Sequence, residues 1–226
     1  MLPAALLLDL DGTLVDSEAF HTESIVRFLD AQGVCLTDGE RAFIVGHAWQ
    51  DIYAHLRVHE RLGMSLDALR AGAIAQKPQM VRDGHQITVL PGARELVAWG
   101  RSNAVPMAIV SGSSRQEIAY ALELLGIEPA LRFYLGAEDV VHGKPHPEGY
   151  LSAAQRLEVE PARCVVFEDS HAGIASAKSA GMVAIATAAA NLPEDHAGHQ
   201  DQSAADLVVA GLDVLNHARL GTLVSA

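Results

Sequence analysis

Four short runs without a polar residue constrain this chain most: Ala4–Leu8, Met107–Val110, Cys164–Phe167 and Val183–Ala186. A strand with one wet face alternates polar and apolar residues. An unbroken apolar run of four or five suits a strand covered on both faces, as in a parallel sheet between two helical layers. Leu207–Val209 repeats the pattern and Phe133–Leu135 is a shorter version of it. Helical spacing fills the intervals at Ala93–Trp99, Arg115–Leu125, Pro147–Leu157 and Ala172–Ala180, the last followed by Gly181 as a stop. Strand and helix alternating at this interval predict an α/β fold with a doubly wound, mostly parallel, Rossmann-like sheet.

The rhythm fails between residues 17 and 87. Phe20–Gln32, Ile52–Arg61 and Leu66–Ala75 carry helical patterns there, with no buried strand, and the sheet pattern resumes only after Val89-Leu90-Pro91-Gly92. The expectation is an α/β core of residues 1–16 and 88–226 with a helical cap inserted at 17–87. Its hinges would fall near Val15–Ser17 and Asp83–Thr88. The tail from Asn191 to Ser203 reads as a polar loop.

A formal charge of −12 argues against nucleic acid or an anionic membrane surface as partner, since both require basic patches. Cys35 and Cys164 lie far apart and read as reduced thiols. The first residues lack a basic segment and reach Asp9 early, unlike a secretory leader, and no apolar run approaches the ~18–20 residues of a membrane span. These features predict a soluble, cytoplasmic protein, taken as a monomer, whose partner is a small molecule.

Ligands of open α/β sheets collect beyond the carboxyl ends of the strands. Asp9 and Asp11 follow the first run, Ser111-Gly112-Ser113 the run at 107–110, and Glu168-Asp169-Ser170 the run at 164–167. Lys144, in a proline-rich loop, is within reach of the same edge. The fold alone therefore gathers three motifs from distant parts of the sequence. Their residue types suit chemistry at phosphorus. A carboxylate such as Asp9 can attack covalently, and Asp11 is placed to give a proton to a leaving oxygen and later take one from water. An anionic nucleophile facing an anionic group needs neutralisation. A hard cation such as Mg2+ on Asp9, the Asp11 carbonyl and Asp169 would supply it, with Glu168 behind these or bound through water. Lys144 would add a point charge. Ser111, with the N–H groups of Gly112 and Ser113, would hold phosphoryl oxygens near a helix that opens with the capping pattern Ser114-x-x-Glu117.

The run Asp9-Leu10-Asp11-Gly12-Thr13-Leu14-Val15-Asp16-Ser17-Glu18 resembles the first motif of the haloacid dehalogenase-like (HAD) hydrolases. Val110-Ser111-Gly112-Ser113-Ser114, Gly143-Lys144-Pro145-His146-Pro147 and Phe167-Glu168-Asp169-Ser170-His171-Ala172-Gly173 are similar to the second, third and fourth. The motifs come in the same order and span nearly the whole chain. The inserted helices resemble the subgroup with a small helical cap, which includes β-phosphoglucomutase and many sugar-phosphate phosphatases. That resemblance implies a Mg2+-dependent phosphatase working through an aspartyl-phosphate. Asp11 and the acidic pair 168–169 speak against the metal-free dehalogenases, and Asp11 against the phosphonatases.

A sugar-phosphate mutase is the alternative the resemblance leaves open. Its members place an arginine shortly after a cap glycine, where this chain, after Gly46, has Trp49. Lys77 and Arg41 remain as cations for a distal phosphate, and Trp49 suits stacking on a sugar face. His21, one turn past the first hinge, is implied by the resemblance to lie near the leaving group; an ordinary helix histidine is the competing reading. The remaining histidines, among them His47, His55, His59, His85 and His142, show no metal-ligand spacing. A third reading is a phosphate- or metal-binding module without turnover.

Overall fold

The structure, a computed structural model, describes residues 2–47, 49–196 and 198–224. By contacts the chain divides into two compact units. One comprises residues Met1–Asp16, Val89–Asn191 and Gln200–Ala226; the other comprises Ser17–Thr88 and Leu192–His199.

The first unit is built on β1 (Ala5–Leu8); β2 (Val15–Asp16) and β3 (Thr88–Val89, whose first residue groups with the other unit) form a separate two-stranded sheet. The main sheet adds β4 (Met107–Val110), β5 (Phe133–Leu135), β6 (Cys164–Glu168), β7 (Val183–Thr187) and β8 (Leu207–Val209) in the order β5-β4-β1-β6-β7-β8. Every neighbouring pair is parallel. The apolar runs are strands because both faces are covered: all four residues of β1 are fully buried. Ala5, Leu7, Ala108, Val110, Cys164 and Val166 share one face with Tyr150, Ala153, Ile174 and Ala177. Glycine brings a helix close on each side: a Cβ on Gly149 would press on Val110, and one on Gly100 would press on Met107. Cys164 lies in this core, where burial pushes its thiol up to about 11; Cys35 is exposed, and both are free.

The second unit holds α1 (Glu18–Ala31), α2 (Asp38–Ile44), α3 (Trp49–His55), α4 (Val58–Leu62) and α5 (Leu66–Arg82). Ile25, Leu29, Ile44, Ile52, Leu56, Val58 and Leu69 form its own apolar core. Two boundaries differ from expectation. The segment 52–61 is two helices, because Arg57 adopts φ 51 and interrupts the ladder. The helix beginning at Leu66 runs past Ala75 and through Pro78 to Arg82. Proline removes one hydrogen bond there, but buried Met80 and the Gln79–Asp83 side-chain bond (2.7 Å) carry the last turn. The stretch 192–199 is a loop, and it groups with these helices because Gly46 and Gly198 stand close enough that a Cβ on either would crowd the other's backbone.

In the first unit, α6 (Ala93–Ser102), α7 (Arg115–Leu125), α8 (Glu148–Arg156), α9 (His171–Ser179) and α10 (Leu220–Leu223) complete the elements used below. Among the described residues no helix is long and apolar enough to cross a membrane.

Candidate active site

From β1 the crossovers run outward to β4 and β5, then reverse to β6 on the other side of β1. The carboxyl end of β1 is therefore the switch point where such sheets open a crevice. Leu8 pairs with Ile109 and Phe167, so the next residue, Asp9, lies level with Val110 and Glu168. Asp9 N–H donates to the Phe167 carbonyl at 2.9 Å. The chain then folds back on itself, with Gly12 N–H donating to the Val15 carbonyl at 2.7 Å. Gly12 is required twice over. Its φ is +77°, and a Cβ would overlap the Asp169 carboxylate.

Lys144 reaches this point from the loop before α8. Its Nζ donates to Asp9 Oδ1 and to Glu168 Oε1, each at 2.5 Å. Glu168 has no exposed surface and Asp9 only 6%. Tyr150, fully buried on α8, donates its hydroxyl to the same Glu168 Oε1 at 2.9 Å, and its ring lies 5.2 Å from the Lys144 ammonium. Glu168 Oε2 accepts from the N–H groups of Asp169 (3.1 Å) and Ser170 (3.0 Å) and from the Ser170 hydroxyl (2.9 Å). A carboxylate offers about four lone-pair sites, so Glu168 is saturated by its own chain. Ser170 also caps α9, accepting from Gly173 N–H at 3.0 Å.

Burial would raise Glu168, but Lys144 and the surrounding hydrogen bonds hold it below its ordinary value. Burial raises Asp9 well above its usual range, and negative Glu168 and Asp11 add to this against the pull of Lys144. Asp169 is raised likewise, by burial and then by Glu168 and Asp9. Lys144 would be lowered by burial, yet Asp9 and Glu168 carry it well above its ordinary value.

Asp11 Oδ2 accepts the Ser113 hydroxyl at 2.6 Å and the Ser111 hydroxyl at 3.4 Å. The Ser113 N–H, expected to be offered to a ligand, here donates to Ser111 Oγ at 3.0 Å. A Cβ on Gly112 would meet nothing within 4 Å. Ser114 and Glu117 form the anticipated capping box of α7. Thus Asp9, Lys144, Glu168 and Asp169 form one cluster, and Asp11, Ser111 and Ser113 a second hydrogen-bonded group at the same edge.

His21, Trp49 and Lys77 belong to the helical unit. His21 packs edge-on against Trp49 at 4.7 Å, Arg70 lies 5.6 Å from the Trp49 ring, and Lys77 lies 6.0 Å from the Phe20 ring. The sequence reading missed Tyr150, Arg70 and Gln202, whose Nε2 donates to the carbonyls of Asp169 (2.6 Å) and Thr187 (2.8 Å). Tyr150 had a signal, a hydroxyl on the apolar stripe of a helix six residues after Lys144. Gln202 had none, lying in a tail with no pattern.

Asp9, Glu168 and Asp169 can each present a carboxylate oxygen within 4.8 Å of the others. All-oxygen donors at a crowded negative edge fit a hard divalent cation. Gly12 supports the fit, since it leaves the space that the Asp169 carboxylate occupies.

A family model described as haloacid dehalogenase-like hydrolase matches residues 3–181. The chain is 37% identical over 181 residues to the validoxylamine A 7'-phosphate phosphatase of Streptomyces hygroscopicus subsp. limoneus, covering 79% of this chain and 83% of that one. It is 34% identical to hexitol phosphatase A of Escherichia coli (strain K12), covering 84% and 83%. Among solved structures, a putative beta-phosphoglucomutase from Thermotoga maritima matches with a TM-score of 0.73 and 25% identity, over 100% of this chain and 99% of that one. The protein belongs to the haloacid dehalogenase-like hydrolases.

Proposed function

We propose that the protein is a Mg2+-dependent phosphatase of small, sugar-like phosphomonoesters, working in a reducing cytoplasm. The observation that carries this reading is the Lys144 ammonium fixed between Asp9 and Glu168 at the switch point of the sheet. Its support outside the chain is that two relatives named above, from Streptomyces and Escherichia coli, are phosphatases.

Asp9, Asp169 and the Asp11 carbonyl would hold the Mg2+. When bound, the ion neutralises charge on the carboxylates and on the phosphoryl group. Glu168, its lone pairs filled, acts by fixing Lys144 and the turn into α9. Asp9 attacks phosphorus to give an aspartyl-phosphate, and Asp11 protonates the leaving oxygen. Lys144 meets the phosphoryl charge as a preorganised donor that needs no rearrangement. Ser111 and the Gly112 N–H would hold the remaining oxygens, and the Ser113 N–H would join them only by leaving Ser111 Oγ, to which it donates at 3.0 Å. Asp11 then takes a proton from the water that releases phosphate. The helical unit serves as the cap that chooses the alcohol, through His21, Trp49 and Lys77, with Arg70 added to them.

Arg70 also gives the mutase reading one favourable observation. It sets a guanidinium against Trp49, the position at which an arginine was expected and absent. Phosphate release from a panel of sugar and alditol phosphates, with and without Mg2+ and beside Asp9→Asn, tests the proposal. Release that requires both Mg2+ and Asp9 supports it. Silence, with isomerisation of β-glucose 1-phosphate once a bisphosphate primer is added, overturns it in favour of the mutase.

A further inference from the structure

The loop that delivers Lys144 brings together three ligand-type side chains that the phosphatase reading does not use. His142 Nδ1 lies 3.0 Å from Glu148 Oε2, and His146 Nδ1 lies 3.9 Å from the same oxygen. The two imidazoles are 4.6 Å apart between centroids. The three residues can present one ligand atom each within 4.8 Å of one another. In sequence they read His-x-x-x-His-x-Glu, a spacing the sequence reading passed over; the turn at 143–146, where His146 N–H donates to the Gly143 carbonyl, folds it into one patch.

From these residues we infer a second divalent-cation site, made by His142, His146 and Glu148, for an ion of the Zn2+ class. Two imidazole nitrogens and one carboxylate oxygen are borderline donors that suit Zn2+ and its transition-metal neighbours, whereas Mg2+ takes oxygen. Tetrahedral bonds of ~2.0–2.1 Å place ligand atoms roughly 3.3 Å apart. The two separations to Glu148, 3.0 and 3.9 Å, bracket that figure, and the two imidazoles must close from within 4.8 Å of one another.

Two details prepare the ligands. Glu148 is held in place by the Val141 N–H (2.7 Å) and the His142 N–H (3.0 Å), which donate to its two carboxylate oxygens. His146 Nδ1 accepts the Glu148 backbone N–H at 3.3 Å, so this nitrogen carries a lone pair, which a bound ion would take over from that long hydrogen bond. Both histidines are more than half exposed, which leaves an entry path and a fourth position for water. An ion held here would tie together the two ends of the 142–146 segment, with Lys144 at its middle. The inference does not depend on the phosphatase reading.

The test titrates the full-length protein with Zn2+ by calorimetry, in excess Mg2+ so that the carboxylate cluster is filled. Wild type is compared with His142→Ala, His146→Ala and, as control, exposed His59→Ala in the other unit. The expected result is one equivalent bound at least tenfold more tightly by wild type and His59→Ala than by either loop variant. Zn2+ should raise the melting temperature of the first two only. X-ray absorption of the 1:1 complex should report two imidazole ligands. Unchanged Zn2+ binding in both loop variants, or no binding by wild type, overturns the site. The loop variants alter exposed side chains, and melting curves recorded without Zn2+ check that they remain folded.

Discussion

Tyr150 and Lys144 converge on one atom: the tyrosine hydroxyl at 2.9 Å and the ammonium at 2.5 Å both donate to Glu168 Oε1. All three groups sit in or against the apolar core beneath the carboxyl edge of the sheet. The ammonium also lies near the face of the ring that carries the hydroxyl. Lys144 is thus located by Glu168 from one side and by aromatic surface from another. What remains for it to meet is Asp9.

Replacing Tyr150 by Phe keeps the packed ring and deletes one hydrogen bond to a buried carboxylate. Bonds to charged groups contribute about 1.5–3 kcal/mol, so urea denaturation should show a loss of roughly that size. Phosphate release should fall more modestly than in Lys144→Ala, because the ammonium keeps both carboxylates. A variant as stable as wild type would show that the Tyr150–Glu168 bond contributes nothing net.

Gly173→Ala is a sharper probe of the same atoms. A Cβ at residue 173 would overlap Glu168 Oε1 and Cδ, so the carboxylate must leave Lys144 or the start of α9 must move. Overpacking of this kind costs about 1–3 kcal/mol. Activity should drop further than stability suggests, since the displaced group is the one that holds the lysine. Gly39→Ala, in helix α2 with nothing within 4 Å, is the comparison for a helical Gly→Ala change without the overlap.

The sheet was legible because parallel strands leave an unmistakable mark: β4, β5 and β8 have the bounds their apolar runs gave, and β6 and β7 extend theirs by one residue. The polar edge was legible for the same reason, since Asp9 and Glu168 are the first charged residues after such runs. Helix ends in the second unit were not. Arg57 carries no local signal for a left-handed conformation, and the pattern from Leu66 ended at Ala75, whereas the helix continues through Pro78 to Arg82 on tertiary packing. Glu168 was expected behind the metal ligands or bound through water, and no sequence pattern reports that its lone pairs accept five bonds from its own chain. Arg70 and Gln202 act through partners distant in sequence, which periodicity cannot report.

The raised carboxyls of Asp9 and Asp169 fix the sign of a pH effect. Burial and mutual repulsion make each hold its proton above the ordinary aspartate range. A group whose folded pKa is raised stabilises the fold at low pH and loses that contribution as pH rises through the folded value. Mg2+ requires both groups deprotonated and releases their protons on binding. The half-saturating Mg2+ concentration should therefore increase as pH falls, starting above the range of an exposed aspartate. The difference in melting temperature between Mg2+ and EDTA should widen as pH rises, and scans across mildly acidic to neutral buffers would read it. A constant difference would mean that these carboxyls do not hold the ion.

Asp11→Asn separates proton transfer from metal binding. The amide keeps an oxygen to accept the Ser113 hydroxyl, now at 2.6 Å, and leaves the backbone carbonyl where it was. What it removes is the exchangeable proton. General acid–base groups contribute about 10²–10⁴ in rate, and kcat on an alkyl phosphate should fall within that range. An aryl phosphate, whose leaving oxygen needs little protonation, should lose much less in the first step. Mg2+ affinity, measured by the melting shift, should stay within about twofold, or 0.4 kcal/mol. A collapse of Mg2+ affinity would instead place the Asp11 side chain among the metal ligands. Equal losses on alkyl and aryl substrates would remove it from leaving-group protonation and confine it to the hydrolysis of the aspartyl-phosphate.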